Sequence, residues 1–235
     1  MRINIVTIFP DFFREPLSLS IMGRAASGGI VEFRVVDLRD YTHDRHCTVD
    51  DYPYGGGAGM VMKPEPFVEA AEALAPEGPV LLMSARGKRF GHDDAVRYSV
   101  APELTLLCGH YKDVDQRVPE LLGAEEVSLG DFVLSGGEIA ALAVSDAVVR
   151  LLPGALGAHE SAATDSFYDE GLLSPPSYTR PREYRGLRVP EALLTGDHAR
   201  IEAWRTRESE RLTRERRPDL WRGRQRKLED MSDGV

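Results

Sequence analysis

Several glycine-bearing stretches of the chain carry residue types from which a binding site can be built. Ser128 to Glu138 reads Ser-Leu-Gly-Asp-Phe-Val-Leu-Ser-Gly-Gly-Glu, a short apolar core between Gly130 and the pair Gly136-Gly137. Glycines at both ends let the backbone turn tightly and come within hydrogen-bonding distance of a small molecule that a Cβ would obstruct. The same stretch also reads as a buried strand ending in a turn before a helix that starts near Glu138, and a short glycine pattern alone does not separate the two. Two further stretches have the same character: Ser84-Ala85-Arg86-Gly87, and Gly109-His110-Tyr111-Lys112-Asp113-Val114-Asp115.

A fourth region is polar and without a convincing period. Arg39 to Asp51 contains His43, Asp44, Arg45, His46, Asp50 and Asp51, and runs into Tyr52-Pro53-Tyr54-Gly55-Gly56-Gly57-Ala58-Gly59. An irregular loop of that length is usually functional or disordered, and its density of His, Asp and Arg favours function. The spacing fits no zinc pattern. Hydrogen bonding to a polar substrate suits these side chains better, since a carboxylate accepts from amino and imino N–H groups such as those on the Watson–Crick edge of guanine. Cys47 and Cys108 are too few and too isolated for a disulfide framework or a zinc site, and read as small packed side chains. No metal and no redox role is expected.

The elements that must hold these loops follow from the apolar pattern. Arg2 to Phe9 is rich in Ile and Val and ends at Pro10, as a buried strand would. One or two helical pieces from Asp11 to Ala26 stop at Gly28-Gly29, before a strand at Ile30 to Leu38. Pro64 to Leu74 has helical spacing. Val80 to Met83, Leu104 to Cys108 and the stretch to Leu134 read as strands, with helices at Asp93 to Ser99, Gln116 to Leu122 and Ile139 to Leu152 between or after them. Alternating strands and helices predict a parallel α/β sheet, which would put the loops after Met83, Cys108 and Leu134 along one edge, where open α/β sheets bind ligands. The chain divides into residues 1–160, an aperiodic linker at 161–173, and a smaller part at 174–235, which opens on a proline-rich approach and ends in helices at about Asp197 to Arg216 and Asp219 to Glu229.

With 235 residues, 42% of them hydrophobic, the chain can bury a substantial core. No apolar run approaches a membrane span and the N-terminus reads as a strand, so a cytoplasmic protein without a membrane partner is expected. The net charge of −9 argues at first against a nucleic-acid partner. It is unevenly spread. Residues 180–235 carry 15 Lys+Arg against 11 Asp+Glu, a net of +4, while residues 1–179 carry 14 against 27. A polyanion would meet the C-terminal quarter first, where Trp204 and Trp221 also lie. An arginine-rich helical face solvated and laced by pairs such as Glu208 with Arg211 and Glu210 with Arg214 accounts for the same composition.

His43-Asp44-Arg45-His46, Asp50-Asp51, Pro53-Tyr54-Gly55-Gly56-Gly57, the 128 to 138 stretch and Tyr178-Thr179-Arg180-Pro181 together closely resemble the bacterial tRNA (guanine-N1)-methyltransferase family, TrmD, collinearly from Arg2 to about Pro218. The resemblance implies an α/β methyltransferase domain of the SPOUT class, with a trefoil knot and a mainly parallel sheet, then a small helical tRNA-binding domain, in a homodimer. General rules do not lead to the knot, because true knots are nearly absent from folds. The activity implied is S-adenosylmethionine-dependent methylation of N1 of guanine 37, the base 3′ of the tRNA anticodon.

By matching motifs, the resemblance places S-adenosylmethionine among Leu82, Met83, Ser84, Gly109, Tyr111, Leu129, Gly130, Phe132, Leu134, Gly136 and Gly137. It gives the catalytic roles to Asp165 and Arg150, and the target base to His46, Asp50 and Ser161 with help from Arg24. Guanine N1 carries a proton at neutral pH, so a carboxylate within reach can act as general base. Negative charge then grows on O6, where a guanidinium is stabilising. Arg150, at the end of a helix, also suits the helix dipole. Two departures stand out: the family's Gly-Arg-Tyr-Glu is Gly109-His110-Tyr111-Lys112 here, reversing a charge for which Asp113 or Asp115 are the candidate substitutes, and Tyr52 replaces an arginine. The altered loop motivates a second reading, a catalytically silent RNA-binding protein of the same fold. A third is a nucleotide-binding α/β protein without an RNA partner.

Overall fold

The computed structural model describes residues 1–156, 165–168 and 171–232. The chain forms two compact units, Met1–Gly157 and Ala158–Val235.

The first unit is built on a five-stranded sheet of β1 (Arg2–Thr7), β2 (Glu32–Asp37), β5 (Val80–Arg89), β6 (Glu103–Cys108) and β8 (Glu125–Ser128), in the order β2-β1-β6-β5-β8. Every neighbouring pair is parallel. Side chains alternate between two faces. Ile3, Ile5, Leu81, Met83, Leu106 and Cys108 enter one apolar cluster, and Val6, Leu82 and Leu107 the other. That period of two, with both faces apolar, is why β1 and β6 read as continuous hydrophobic runs.

Helices cover both faces. α1 (Asp11–Ser18), α2 (Ser20–Ser27), α4 (His92–Ser99) and α6 (Glu138–Val149) pack on the first face through Phe13, Leu17, Ala25, Tyr98, Val144 and Val148. α3 (Pro64–Leu74) and α5 (Arg117–Leu122) cover the second through Phe67, Ala70 and Val118. Proline at the start of α3 fits a position whose N–H has no helical partner. Among the described residues no helix is long and apolar enough to cross a membrane.

A second, three-stranded sheet joins the irregular regions. β3 (Asp50–Asp51) pairs antiparallel with β4 (Val61–Met62), which pairs parallel with β7 (Asp113–Val114). The long loop is therefore a hairpin with 52–60 at its tip, tied to the loop after β6. The amide of Lys112 also donates to the carbonyl of Met60 at 3.0 Å.

Two expectations about strands need correction. β5 does not end at Met83: it continues to Arg89, with a register shift between Met83 and Lys88, so 84–87 is an irregularity inside the strand. β8 stays alongside on both sides of the shift, and Gly87 makes this possible, because a Cβ there would run into the backbone of Glu126 and Val127. The strand before the third loop ends at Ser128, not near Leu134. Phe132 and Val133 are exposed, since no neighbouring strand extends far enough to pair with them.

In the second unit, a hairpin of β9 (Glu183–Tyr184) and β10 (Leu187–Arg188) turns through Arg185 and Gly186, both at positive φ. The helices α7 (His198–Arg216) and α8 (Pro218–Ser232) follow. Asp197 caps α7 by accepting from the amide of Arg200 at 3.2 Å. Trp204 meets Tyr178 edge-on at 6.2 Å, and the Arg214 guanidinium lies 4.6 Å from the centre of the Trp221 ring. Both tryptophans thus hold local structure. The Glu208–Arg211 pair is present at 2.7 Å, and Arg211 also reaches Glu215 at 2.8 Å.

Where α4 meets β8, the two terminal nitrogens of Arg97 donate to the two carboxylate oxygens of Glu125 at 2.9 and 2.7 Å. Hydrogen bonds from Arg97 hold the Glu125 carboxyl below its ordinary range, against the opposing effect of burial. A depressed folded-state pKa stabilises above the unfolded value and is lost as pH falls through the folded one. The stability difference between the wild type and Arg97→Met is therefore expected to be complete at neutral pH and to shrink as pH falls below about 4.3, the ordinary glutamate value. Urea unfolding midpoints at pH 7, 5 and 3.5 would measure it, and a difference that grows towards low pH would contradict it.

Candidate active site

The irregularity within β5 and the carboxyl ends of β6 and β8 converge on a pocket of about 250 Å³. Leu82, Met83, Ser84, Gly109, Tyr111, Leu129, Phe132, Leu134, Gly136 and Gly137 line it. Gly130, the remaining residue of the expected donor set, adjoins these residues. Its amide donates to the Ser128 hydroxyl at 3.2 Å and its carbonyl accepts from Phe132 at 2.9 Å.

The pocket owes its shape to backbone approach. The amide of Gly137 donates to the carbonyl of Gly109 at 2.8 Å, tying the start of α6 to the end of β6. A Cβ on Gly137 would lie 2.8 Å from the Cys108 Cα and 3.0 Å from both the Gly109 nitrogen and the Met83 Cβ. On Gly109 it would lie 2.7 Å from the Val114 side chain. Tyr111 turns the loop at a φ of 60°, sparsely populated for a side chain of that size. The 128–138 stretch is thus a loop whose Gly137 end is pressed against β5 and the end of β6, while Gly130 turns against the Phe132 ring of the loop itself.

Apolar side chains (Leu82, Met83, Leu129, Leu134, Ala140) form much of the wall, and charges gather on the β5 and β6 loops. Arg86 lies 3.3 Å from Asp113 and 3.6 Å from Glu126, whose carboxylate also accepts from the Ser84 hydroxyl at 2.7 Å. Asp115 is bound by Arg117 at 2.9 and 2.8 Å, and those bonds hold its carboxyl below the ordinary range. Neither Asp113 nor Asp115 is therefore an uncommitted substitute for the family's glutamate. The carbon stem of Lys112 packs against Gly59. Burial, reinforced by Glu138, pushes the Cys108 thiol well up, consistent with a packed and unreactive side chain.

The other expected residues lie outside this lining. Arg24 is exposed on α2. His46 follows a turn in which Asp44 accepts from the amides of His46 and Thr48, both at 2.9 Å; these bonds, the Thr48 ones foremost, lower the Asp44 pKa. Asp50 begins β3, opposite Met62. Arg150 caps the C-terminus of α6, its amide donating to Asp146 at 3.1 Å. Asp165 belongs to the second unit, in a turn where its carbonyl accepts from the amide of Tyr168 at 3.4 Å. That turn is fixed locally by Ser166, whose hydroxyl accepts from the amide of Ser174 at 2.9 Å. Ser161 lies outside the described residues. His110, Arg86, Val114 and Ala140 also line the pocket but were not assigned to it from sequence. Position within the quoted loops was the available signal for His110 and Arg86. The same signal covered Val114, while Ala140 gave none, because an apolar residue in a helix reads as core.

A larger groove of about 1170 Å³ lies beside α1 and the opposite ends of β1, β2 and β6, lined by residues such as Met1, Phe13, Phe33 and Glu103. It contains none of the three strand-end loops, and parallel sheets place chemistry at the other edge.

Comparison with known proteins agrees with the loop pattern. The family model described as tRNA (Guanine-1)-methyltransferase TrmD matches residues 1–223. The chain belongs to the TrmD family. Among its relatives, the tRNA (guanine-N(1)-)-methyltransferase of Shouchella clausii is 48% identical over 227 residues, covering 95% of this chain and 92% of that one. The protein of the same name from Bacillus subtilis is 48% identical over 224 residues, covering 94% and 92%. The one from Brevibacillus brevis is 50% identical over 222 residues, covering 94% and 91%.

The glycine packing makes a prediction that is independent of substrate. A Cβ at position 137 meets backbone on one side, which cannot move as a side-chain tip can. Gly137→Ala is expected to lower unfolding stability by about 1–3 kcal/mol, the usual cost of overpacking. Urea denaturation monitored by circular dichroism would show it, and an unchanged midpoint would mean that the strand ends separate freely.

Proposed function

We propose that this chain transfers a methyl group from S-adenosylmethionine to N1 of guanine 37 of tRNA. The observation that carries the reading is the pocket at the carboxyl edge of the sheet, where three loops of a TrmD-family chain meet around glycines. The residues present fit such a donor. Gly109, Gly136 and Gly137 bring backbone close to the pocket, and Leu82, Met83, Leu129 and Leu134 supply apolar wall for a nucleoside and a thioether chain. When bound, S-adenosylmethionine supplies an electrophilic methyl group on a sulfonium.

The protein's part is to take a proton and to orient. Asp165 accepts the N1 proton of guanine, which turns a poor nucleophile into a competent one. Arg150 faces the charge that builds on O6. His46, Asp50 and Ser161 hold the base, assisted by Arg24, once it has been unstacked from the anticodon loop. Basic side chains of residues 174–235 hold the tRNA through its phosphates.

The reading includes the trefoil knot, with the 128–138 stretch in it, a helical tRNA-binding domain at 174–235 and action in the cytoplasm. It also includes a homodimer in which Asp165 serves the partner's donor pocket. Exposed Phe9, Phe132, Val133 and Ile139, beside or within the pocket's loops, support a covered surface there.

Transfer of labelled methyl from S-adenosylmethionine to a tRNA with guanine after its anticodon is the test. The wild type is expected to be active and Asp165→Ala to lose about 10²- to 10⁴-fold in rate, the usual range for a general base. Full activity in Asp165→Ala would remove the assignment of the base. A wild type that binds this tRNA without incorporating methyl would instead favour the silent RNA-binding reading.

A further inference from the structure

Glu138 is a carboxylate at the first position of α6 with only 7% of its side chain exposed. A buried charge is costly unless it is partnered. One oxygen, Oε1, accepts from the Thr7 hydroxyl at 2.8 Å, and that hydroxyl accepts in turn from the amide of Phe9 at 3.0 Å. The other, Oε2, faces Nδ1 of His110 at 3.7 Å. Nδ1 is buried and has no hydrogen-bond partner among the described residues. A side chain on Gly136 would collide with both Glu138 Oε2 and His110 Nδ1, so the glycine there keeps this approach open. His110 and Gly136 also form a backbone bridge.

The imidazole is held on its other sides by an edge-on contact with Phe9 at 5.1 Å and one with Tyr111 at 5.4 Å. Its side chain keeps 24% exposure, essentially none of it at Nδ1, and His110 lines the pocket whereas Glu138 does not. A carboxylate facing Nδ1 favours the tautomer with its proton on Nδ1. Nε2 is then left as an acceptor, because which nitrogen carries the proton is decided by the partner of the other.

We propose that Thr7, Glu138 and His110 form a positioning relay in which Glu138 fixes the Nδ1–H tautomer of His110, so that Nε2 accepts a hydrogen bond from an O–H or N–H of the methyl donor's nucleoside. Thr7 and Glu138 are positioning residues and His110 the residue that meets the ligand. The inference rests on reading the pocket as the donor site.

Calorimetric titration of the full chain with S-adenosylhomocysteine tests it. Loss of one hydrogen bond to the ligand is expected to weaken binding about 10-fold in His110→Ala and His110→Asn. The amide of glutamine reaches as far as Nε2 and can accept, so His110→Gln is expected to stay within about 3-fold of the wild type. Asparagine reaches only the Nδ1 position, so a role confined to holding the loop would reverse that order. Glu138→Gln can donate to Nδ1 and is expected to weaken binding as much as His110→Asn, with the ¹⁵N shifts of His110 moving from Nδ1–H to Nε2–H. Wild-type affinity in His110→Asn, or an Nε2–H tautomer in the wild type, would overturn the relay while leaving the donor site intact. A wild-type chain that does not bind S-adenosylhomocysteine would overturn the donor reading and the relay with it.

Discussion

The hydrogen bond from the Gly137 amide to the Gly109 carbonyl is the contact on which the site depends. It joins the first residue before α6 to the first residue after β6, at a separation that leaves no room for a Cβ beside the Cys108 Cα. Because α6 begins there, Glu138 is drawn beneath the loops, and Ala140, Val144 and Val148 face the sheet. The loop from Ser128 to Gly136 has its ends fixed by β8 and by α6, and its apolar middle is left on the surface. Position 137 is a point where helix, strand and loop meet within van der Waals distance, and only glycine satisfies all three.

The same economy of space operates at the neighbouring strand. Gly87 lets β8 follow β5 through a register shift, which turns Ser84 and Arg86 towards the pocket while pairing resumes at Lys88 and Arg89. Arg86 then sits between Asp113 and Glu126 and ties the β5 irregularity to the β6 loop and β8. The three-stranded sheet adds a second tie, since β7 couples the β6 loop to the long glycine hairpin. Displacement of one loop is therefore felt by the others, a useful property where several loops must close around one ligand.

Charge is distributed in keeping with this architecture. Several carboxylates near the pocket are engaged: Glu126 by Ser84 and Arg86, Asp113 by Arg86, Asp115 by Arg117, and Glu138 by Thr7. A chain of net negative charge can thus present backbone and apolar wall to a ligand. Residues 180–235 have a different balance, with 15 Lys+Arg against 11 Asp+Glu, and several arginines are held in short-range pairs such as Arg211 with Glu208 and Glu215.

Much of this was legible in the sequence, and for identifiable reasons. The parallel α/β class followed from apolar runs in β1 and β6 and from helical periods between the strands, which are local properties. The glycine loops were legible because backbone approach needs glycine whatever surrounds it. Family membership followed from collinear motifs. The register shift in β5 was not legible, because it depends on how β8 lies beside Gly87, nor was the exposure of Phe132 and Val133, since an apolar pair reads as core until its neighbours are known. The engagement of Asp113 and Asp115 by arginines and the burial of Glu138 under His110 were also invisible. Sequence determines which residues can do the chemistry and roughly which elements carry them. Tertiary structure decided which side chains face one another, because contacts such as Thr7 with Glu138 join residues 131 positions apart, and no local period encodes them.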